Sequence, residues 1–321
     1  MSELALNTMV DVLKAVAETT RLRIVALLRQ GDLTVSDLTA ILGQSQPRVS
    51  RHLKLLQEAC VIERYQEGAW AYFRLSDDGV QAQIVDMIAG QLAQADGALE
   101  HDHSRLQQVK QKRRAQAAAY FSANAAGWDA LRRLHVPDKA VEEALLRLVG
   151  GRSFQTMLDI GTGTAAMLKL FAPFYARGVG VDVNREMLAI ARAGLEKAGI
   201  THALVRQGDV AALPVELAGF DLVIIHQVLH FLDHPALAIR EAGRVLQPGG
   251  RLVIVDFSAH NLEFLRSQYA HQRLGFTDAQ IRAWFGQADL EFITREEFAP
   301  EGDRENGLTV QLWLARKPVS V

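Results

Sequence analysis

The sequence predicts an α/β protein in which a small helical domain with a β-hairpin is joined by helices to a domain with a doubly wound parallel sheet. Three observations support this prediction. The chain has 321 residues, enough for two domains of ~150 residues each. Apolar residues recur at helical spacing in the first part of the chain, whereas strand-like apolar runs alternate with helical stretches from residue 151 onward. A glycine turn at 161–163 directly follows the first of those runs.

The composition is that of an ordinary globular protein. Hydrophobic residues make up 49% of the chain, charged residues 22%, and the formal net charge is −2, so a nucleic-acid surface would need local clustering of basic residues. The single cysteine, Cys60, excludes an intrachain disulfide framework and a metal–thiolate cluster. Because no signal-like segment begins the chain and no apolar run approaches the ~18 residues that cross a membrane, we expect a cytoplasmic protein without membrane contact.

Residues 1–97 are predicted to form the first domain. Helical spacing of apolar residues predicts helices over Leu4–Val16 and Leu22–Leu28. Thr34 precedes a short segment with an acidic first turn, which is typical of an N-cap, and the helix that it begins is expected to end at Gly43.

A fourth helix follows Gly43, with Pro47 in its first turn and Val49, Leu53 and Leu56 on its buried side. Its other side and its start are polar and basic, and they comprise Ser45, Gln46, Arg48, Ser50, Arg51, His52 and Lys54. Two helices joined by a glycine-containing turn, the second of them basic and amide-rich, are typical of a helix-turn-helix that reads the DNA major groove. Taken alone, the basic residues also fit a solvated helix face.

Two strand-like runs, Val61–Gln66 and Ala69–Leu75, surround Glu67-Gly68 and predict a hairpin, or wing. A helix-turn-helix followed by a wing is more specific than either part. With the stretch Leu42–Leu56, this part of the chain closely resembles the arsenic-repressor (ArsR) family of winged helix-turn-helix regulators. The resemblance implies transcription regulation through double-stranded operator DNA.

The same resemblance implies a homodimer in which the first and last helices of the domain pack together on a two-fold operator. Apolar residues for the last helix are Val80, Ile84, Met87, Ile88 and Leu92, and each of them fits an intramolecular core equally well. Metal-sensing members carry Cys-Val-Cys where this chain has Thr34-Val35-Ser36, which argues against arsenite sensing there.

The segment Glu100-His101-Asp102-His103 offers imidazole and carboxylate groups of the kind that bind zinc. Family members that bind metal on their last helix need a second ligand pair farther along, where this chain has Gln111-Lys112-Arg113-Arg114. We therefore predict a solvated helix face and no metal site. Residues 98–150 as a whole are predicted to form a helical connector, because Leu99–Leu134 lacks proline and is rich in Ala, Gln, Lys and Arg.

Residues 151–321 are predicted to form the doubly wound domain. Helical stretches separate the first five strand-like runs, which favours a parallel sheet with its ligand at the carboxyl ends of the strands, and the last two runs suggest an added antiparallel pair. The domain is thus expected to be Rossmann-like and seven-stranded. The runs are Met157–Ile160, Gly178–Val183, His202–Gln207, Phe220–His226, Arg251–Phe257, Glu291–Phe298 and Leu308–Ala315.

The glycine turn is typical of a nucleotide site. Gly161 can adopt positive φ, and Gly163 lets the backbone approach a ligand closely. Asp182 lies 182 − 161 = 21 residues beyond the first glycine, where such folds place a carboxylate for a ribose hydroxyl. Since Gly161–Ala166 also fits the dinucleotide pattern, a nicotinamide cofactor stays an alternative.

Three features around that turn discriminate between the two cofactors. Asp159 stands two residues before the first glycine, Gly208-Asp209 follows the third strand-like run, and Gln247–Leu252 makes a turn into the fifth. With these features the chain, over roughly residues 120–321, resembles the class I S-adenosylmethionine-dependent methyltransferases, especially those related to ubiquinone/menaquinone biosynthesis enzymes.

That resemblance implies specific cofactor contacts. Asp159, Gly161 and Gly163 would contact the methionine part of S-adenosylmethionine or S-adenosylhomocysteine, Asp182 the ribose, and Asp209 with Val210 the adenine. Ala165 departs from the pattern, since many members have a third glycine there. The segment from Tyr120 to Asp129 resembles the lid helix before many small-molecule methyltransferase cores, which makes Tyr120 a candidate cofactor contact or a packing residue.

The methyl acceptor is not identified by any motif. Candidate catalytic bases are His226 and His230, near the end of the fourth strand-like run, and His271 farther on, although a single histidine is more often structural. The sequence after that run, His226-Gln227-Val228-Leu229, lacks the Asn/Asp-Pro-Pro-aromatic motif of DNA amino-methyltransferases, which argues against methylation of flipped DNA bases.

Two functions fit this sequence. In the first, an ArsR-type regulator binds operator DNA and its methyltransferase domain senses S-adenosylmethionine or S-adenosylhomocysteine. In the second, the protein is a methyltransferase acting on a small molecule, and its winged helix controls its own operon. The two can both hold.

Overall fold

The computed structural model describes residues 4–67, 69–76, 79–92, 96–128, 138–149, 153–214, 218–299 and 307–319. The chain divides into two compact units, residues 1–115 (unit 1) and 116–321 (unit 2). The expected connector, residues 98–150, is therefore shared between the two units. Gly68 of the expected hairpin turn and residues 129–137 and 150 of the expected connector lie outside the described part of the chain.

Unit 1 is helical with a small antiparallel sheet, which has the strand order β1-β3-β2. Its sheet includes the predicted hairpin, β2 with β3. The elements are α1 (Leu6–Val16), α2 (Thr19–Leu28), β1 (Leu33–Thr34), α3 (Val35–Leu42), α4 (Gln46–Glu58), β2 (Ile62–Glu67), β3 (Trp70–Leu75), α5 (Gly79–Gly90) and α6 (Gly97–Asn124), the last of which contains the division at 115/116.

Local interactions explain where the helices of unit 1 begin and end. Thr34 and Asp37 form a capping box at the start of α3, as its sequence predicts, and Gly43 ends that helix with φ of 65°. In α4, Val49, Leu53 and Leu56 are at most 1% exposed and join the core of the unit, which confirms the predicted buried side. The core fixes which side of α4 stays in solvent.

Unit 2 is built around one seven-stranded sheet. Its helices and strands after α6 are α7 (Asp138–Val149), β4 (Phe154–Ile160), α8 (Ala166–Phe171), β5 (Tyr175–Asp182), α9 (Arg185–Lys197), β6 (Ala203–Gln207), β7 (Phe220–His226), α10 (Pro235–Val245), β8 (Leu246–Phe257), α11 (Phe264–Gln268), α12 (Asp278–Gln287), β9 (Glu291–Phe298) and β10 (Val310–Arg316). Short 3-10 turns lie at Ala125–Gly127 and Leu229–Phe231.

The strand order is β6-β5-β4-β7-β8-β10-β9, with β4 to β8 parallel and β10 antiparallel to both of its neighbours. Apolar residues of the central strands alternate between two clusters, with Met157 in one and Leu158 in the other, so both faces of the sheet are covered. The predicted seven-stranded, Rossmann-like architecture is confirmed. The chain order reverses at β4, which is where such sheets bind ligands at the carboxyl ends of their strands.

β8 begins at Leu246 rather than at Arg251, where the apolar run starts. The register shifts so that Leu246 pairs with Phe220 and Arg251 with Leu222, and the residues between them form an irregularity within the strand. Gly249, with φ of 81°, provides the backbone conformation that this irregularity needs. Within the described ranges, we find no helix with the length and apolarity that a membrane span requires.

Candidate functional site

The turn after β4 is tied to β5 and requires glycine. The backbone N–H groups of Gly161 and Thr162 donate to the carbonyl of Val181 at 2.8 and 3.0 Å. Gly161 has φ of 71°, and a Cβ there would lie 2.4 Å from Cγ2 of Val228. Gly163 has φ of 51°, and a Cβ there would meet a single neighbour within 4 Å, Nε1 of Trp128 at 3.8 Å. Gly163 therefore leaves room for a ligand beside the backbone.

Two of the predicted carboxylates lie at this turn. Asp159 is 2% exposed, and its Oδ2 accepts a 2.6 Å hydrogen bond from the hydroxyl of Thr162. Asp182, the last residue of β5, accepts from the backbone N–H of Gly163 at 2.9 Å and from that of Asn184 at 2.8 Å. Burial raises the pKa of Asp182, and these hydrogen bonds partly oppose the rise.

Asp209 and Val210 follow β6, the strand beside β5. Asp182 pairs with Gln207, and the backbone N–H of Gly208 donates to the carbonyl of Asp182, so Asp209 lies at the same edge of the sheet. Oδ1 of Asp209 accepts from the backbone N–H of Ala211 at 2.9 Å, and Val210 is 6% exposed. All six predicted cofactor residues thus lie at the carboxyl ends of β4 and β5 or on the turns that follow β4 and β6.

A cavity of about 410 Å³, part of it open to solvent, adjoins the glycine turn. Trp128, which approaches Gly163, also lines this cavity, and so does Gln227, the neighbour of Val228. The remaining lining residues are Tyr120, His230, Phe231, Phe257, Leu265, Tyr269, His271 and Leu308. Of the three predicted base candidates, the structure brings His230 and His271 together here, whereas His226 is not among the lining residues.

His230 forms a buried pair with Asp256. Nδ1 of His230 lies 2.8 Å from Oδ1 of Asp256, and the two side chains are 2% and 0% exposed. The backbone N–H of Phe257 donates to the same Oδ1 at 2.8 Å. The ring of His271 lies 4.3 Å from that of His230, centroid to centroid. A histidine oriented by a carboxylate is suited to accept a proton at its other nitrogen.

His260 is a further histidine near this pair, and it is partly buried. Burial and, to a smaller extent, the nearby His230 lower the pKa of His260 to about 4, while Asp256 opposes the shift. The backbone N–H of Leu262 donates to Nδ1 of His260 at 3.2 Å. His260 is therefore neutral at ordinary pH.

The predicted DNA-reading residues lie on α4 and at its start. Most of them are exposed, namely Ser45, Gln46, Arg48, Ser50, Arg51 and Lys54. His52 differs, because its imidazole is half-buried and its Nδ1 lies 3.5 Å from Oε2 of Glu18, the residue that caps α2. Burial lowers the pKa of His52, with Glu18 opposing the shift.

Asp102 and Arg113 of α6 form ion pairs with other elements of unit 1. Arg23 makes two hydrogen bonds of 2.6 Å to Asp102, whose side chain is 2% exposed. Arg113 donates to Oδ1 of Asp37 at 2.6 Å, beside the capping box. Asp102 is therefore bound by a guanidinium rather than lying on a solvated face as expected, and no group of three metal-binding side chains is found in the described ranges.

Sequence reasoning missed Asp256 and Trp128 as site residues. Asp256 is the second-last residue of the run Arg251–Phe257, at the carboxyl edge of the sheet, a position that could have indicated it. Trp128 lies inside the segment interpreted as a lid, but nothing in its spacing pointed to the glycine turn.

Two family models match separate parts of the chain. Residues 8–63 match the model described as "Bacterial regulatory protein, arsR family", and residues 158–254 match "Methyltransferase domain". The arsenical resistance operon repressor of Escherichia coli (strain K12) is 46% identical over 68 residues, which are 21% of this chain and 58% of that protein. The ubiquinone/menaquinone biosynthesis C-methyltransferase UbiE of Pseudomonas paraeruginosa is 34% identical over 128 residues, 39% of this chain and 50% of that protein.

The chain thus spans about half the length of these curated relatives. Among solved structures, the N-methyltransferase NodS of Bradyrhizobium japonicum, in complex with S-adenosyl-L-homocysteine, aligns with a TM-score of 0.51 and 20% identity over 63% of this chain and 98% of that chain. This likeness shows the fold of unit 2. The chain therefore joins a winged helix-turn-helix domain of the ArsR family to a methyltransferase domain.

Proposed function

We propose that this protein is a DNA-binding transcriptional regulator whose methyltransferase domain senses S-adenosylmethionine or S-adenosylhomocysteine. The observation that carries the proposal is that the carboxylate of Asp182 is held beside a glycine turn. The same chain has an exposed basic helix, α4, which is the predicted DNA-reading helix. DNA binding implies that it acts in the cytoplasm. The protein's partners are then operator DNA, a second copy of the chain and the nucleoside ligand.

The residues at the glycine turn fit this ligand. The carboxylate of Asp182 is partly accessible and can accept from ribose hydroxyls, and Asp159 can interact with the methionine ammonium directly or through water. Asp209 can accept from the adenine amino group, beside Val210. When bound, S-adenosylmethionine supplies an electrophilic methyl group on sulfur.

Exposed apolar residues support the homodimer. Leu6 and Leu13 of α1 are 79% and 45% exposed, and Met87 of α5 is 62% exposed. These are the first and last helices of the winged-helix domain, the ones expected to pack across a two-fold axis. Burying these side chains would remove apolar surface from water, which favours association.

Sensing is tested by titrating operator DNA with the protein. Duplexes selected from a random pool by the purified protein serve as operator, and affinity is measured by fluorescence anisotropy without ligand and with saturating S-adenosylmethionine or S-adenosylhomocysteine. A coupling of about 1–3 kcal/mol would change operator affinity roughly 5–150-fold. Unchanged affinity, when calorimetry shows that both ligands bind, would remove the sensing function.

A second candidate function is methylation of a small molecule. It is favoured by the cavity that shares Trp128 with the glycine turn, since an acceptor bound there would lie beside the cofactor. Incubation with methyl-labelled cofactor and cell metabolites tests this function, and absence of labelled product despite cofactor binding would count against it. Competition between S-adenosylhomocysteine and NAD for binding decides the remaining alternative of a nicotinamide enzyme.

A further inference from the structure

The cavity beside the glycine turn has aromatic walls, and the described residues that line it include no Lys, Arg, Asp or Glu. Tyr120 meets Tyr269 edge-on at 6.4 Å between centroids, and Trp128 meets Phe231 at 6.2 Å. Phe257 stacks on His271 at 5.8 Å. A cavity lined by flat aromatic rings favours a planar ring over a flexible or highly charged ligand.

The hydrogen-bonding role of His230 in the cavity is determined by its partner Asp256. Because Nδ1 of His230 is held by the buried carboxylate of Asp256, the tautomer with the proton on Nδ1 is favoured and Nε2 is left as an acceptor. No hydrogen bond to Nε2 of His230 is found among the described residues. In its neutral form, His230 is therefore a hydrogen-bond acceptor within an aromatic enclosure.

Asp256 also places a buried carboxylate beside the imidazole. Its Oδ2 is buried and, within the described residues, makes no hydrogen bond, so part of the negative charge of this carboxylate is uncompensated when His230 is neutral. Two other titratable groups lie near His230. His271 is in ring contact with it, and His260 is neutral at ordinary pH. The positive charge of Arg266 contributes to the lowered pKa of His260. A proton on Nε2 of His230 would therefore give an imidazolium that is paired with one buried carboxylate, that of Asp256.

We propose that this cavity binds a small planar phenol and that His230 removes its hydroxyl proton. The O–H bond of the phenol breaks, a bond forms between the proton and Nε2 of His230, and the electron pair remains on oxygen as a phenolate. The imidazolium that results is paired with Asp256, which acts as a positioning residue. The inference deepens the methyltransferase function proposed above, because a phenolate beside the glycine turn is the nucleophile that such an enzyme needs.

The probe for this proposal is 4-nitrophenol, whose phenolate absorbs visible light and whose neutral form does not. At a pH where the probe in solution is neutral, adding the protein with saturating S-adenosylhomocysteine is expected to produce a saturable phenolate band. A saturable effect on tryptophan fluorescence reports binding independently, since Trp128 lines the cavity. Binding without a phenolate band would overturn the proton transfer, and absence of binding would overturn the phenol site.

Variants separate the roles of the two residues. Asp256→Asn keeps the shape of the side chain, and it is expected to keep fluorescence-detected binding while lowering the bound phenolate-to-phenol ratio by about tenfold or more, because a hydrogen bond to a charged partner is lost. His230→Gln should abolish the band, and Tyr269→Leu should weaken binding. His202→Gln, an exposed histidine of the same unit outside the cavity, is the matched control and should behave as the unmodified protein.

Thermal unfolding and calorimetry with S-adenosylhomocysteine verify that each variant is folded. If Asp256→Asn is folded and leaves the phenolate band unchanged, the assignment of Asp256 is wrong. If tetramethylammonium displaces the probe and binds more tightly than phenol, the cavity is a cation site and the proposal fails. Operator affinity is measured separately, so loss of sensing and loss of phenol binding are distinguishable.

Discussion

The backbone N–H of Gly163 donates a 2.9 Å hydrogen bond to Oδ2 of Asp182, which joins the turn after β4 to the end of β5. Oδ1 of the same carboxylate accepts from the backbone N–H of Asn184. Both oxygens of Asp182 are thereby oriented by backbone rather than by flexible side chains. The lone pairs that remain on this carboxylate have fixed directions, which suits a pair of ribose hydroxyls.

Replacing Asp182 by Asn should weaken binding of S-adenosylhomocysteine. Hydrogen bonds to a charged group contribute about 1.5–3 kcal/mol, so we expect a loss of affinity of roughly 10–100-fold. Isothermal titration calorimetry measures it. Asp289→Asn, the same change at an exposed turn residue, is the control and should bind as the unmodified protein. Equal affinity of the two variants would remove Asp182 from the cofactor site.

Binding of S-adenosylhomocysteine should weaken as the pH falls. Burial raises the pKa of Asp182, so this carboxyl is protonated at a higher pH than an exposed aspartate and then loses its anionic acceptor. The weakening should begin above the usual aspartate pH range and should be absent in Asp182→Asn.

The raised pKa of Asp182 also determines how the stability of the fold depends on pH, because the folded state binds the proton of Asp182 more tightly than the unfolded state does. The contribution of Asp182 to the free energy of unfolding therefore falls as pH rises from its unfolded to its folded pKa.

The parts of the site that adjoin in sequence could be predicted, because a strand end and its turn are local. Asp159, Gly161 and Gly163 follow from one apolar run, and the alternation of runs is enough to predict the parallel sheet. The pair of His230 with Asp256 could not be predicted, because it requires the 3-10 turn after β7 to lie against β8. Sequence spacing alone does not determine such contacts between elements.

Replacing Gly161 by Ala should destabilise unit 2 for two separable reasons. The backbone has φ of 71°, which costs an L-residue about 1–2 kcal/mol, and overpacking against Val228 adds about 1–3 kcal/mol. Urea unfolding measures the sum. Gly199→Ala isolates the backbone part, since Gly199 has φ of 67° and a Cβ there meets no atom within 4 Å.

The double variant Gly161→Ala/Val228→Ala provides the complementary measurement. It should recover the overpacking part relative to the two single variants, so the cycle has a favourable coupling energy. Equal losses for Gly161→Ala and Gly199→Ala would mean that the contact with Val228 relaxes without cost.

Replacing Arg51 by Ala should weaken operator binding and reduce its dependence on salt. Arg51 is an exposed basic residue of α4, and loss of one phosphate contact lowers the salt slope by about one unit. Anisotropy titrations over a series of salt concentrations measure both effects. Arg295→Ala, an exposed arginine of β9, serves as the control. If instead the salt slope is unaltered and affinity falls only for operators with one particular base pair, Arg51 contacts a base rather than a phosphate.

Replacing Asp102 by Asn should destabilise unit 1. Its carboxylate is 2% exposed and makes two hydrogen bonds to Arg23, so the amide leaves a guanidinium with one poorly matched partner. Removing one partner of a buried ion pair costs about 3–5 kcal/mol, and we expect the lower end because Arg23 stays 19% exposed. Chemical denaturation followed by circular dichroism measures the loss.

Glu100→Gln is the matched control for Asp102→Asn, because Glu100 is an exposed acid of the same helix. Its effect on the free energy of unfolding should be within about 0.5 kcal/mol, as for most surface substitutions. The variant Arg23→Met/Asp102→Leu tests the alternative that the pair is replaceable by apolar packing. If this double variant is as stable as the unmodified chain while Asp102→Asn is not, the single loss reflects the unpaired charge on Arg23 rather than a net gain from the ion pair.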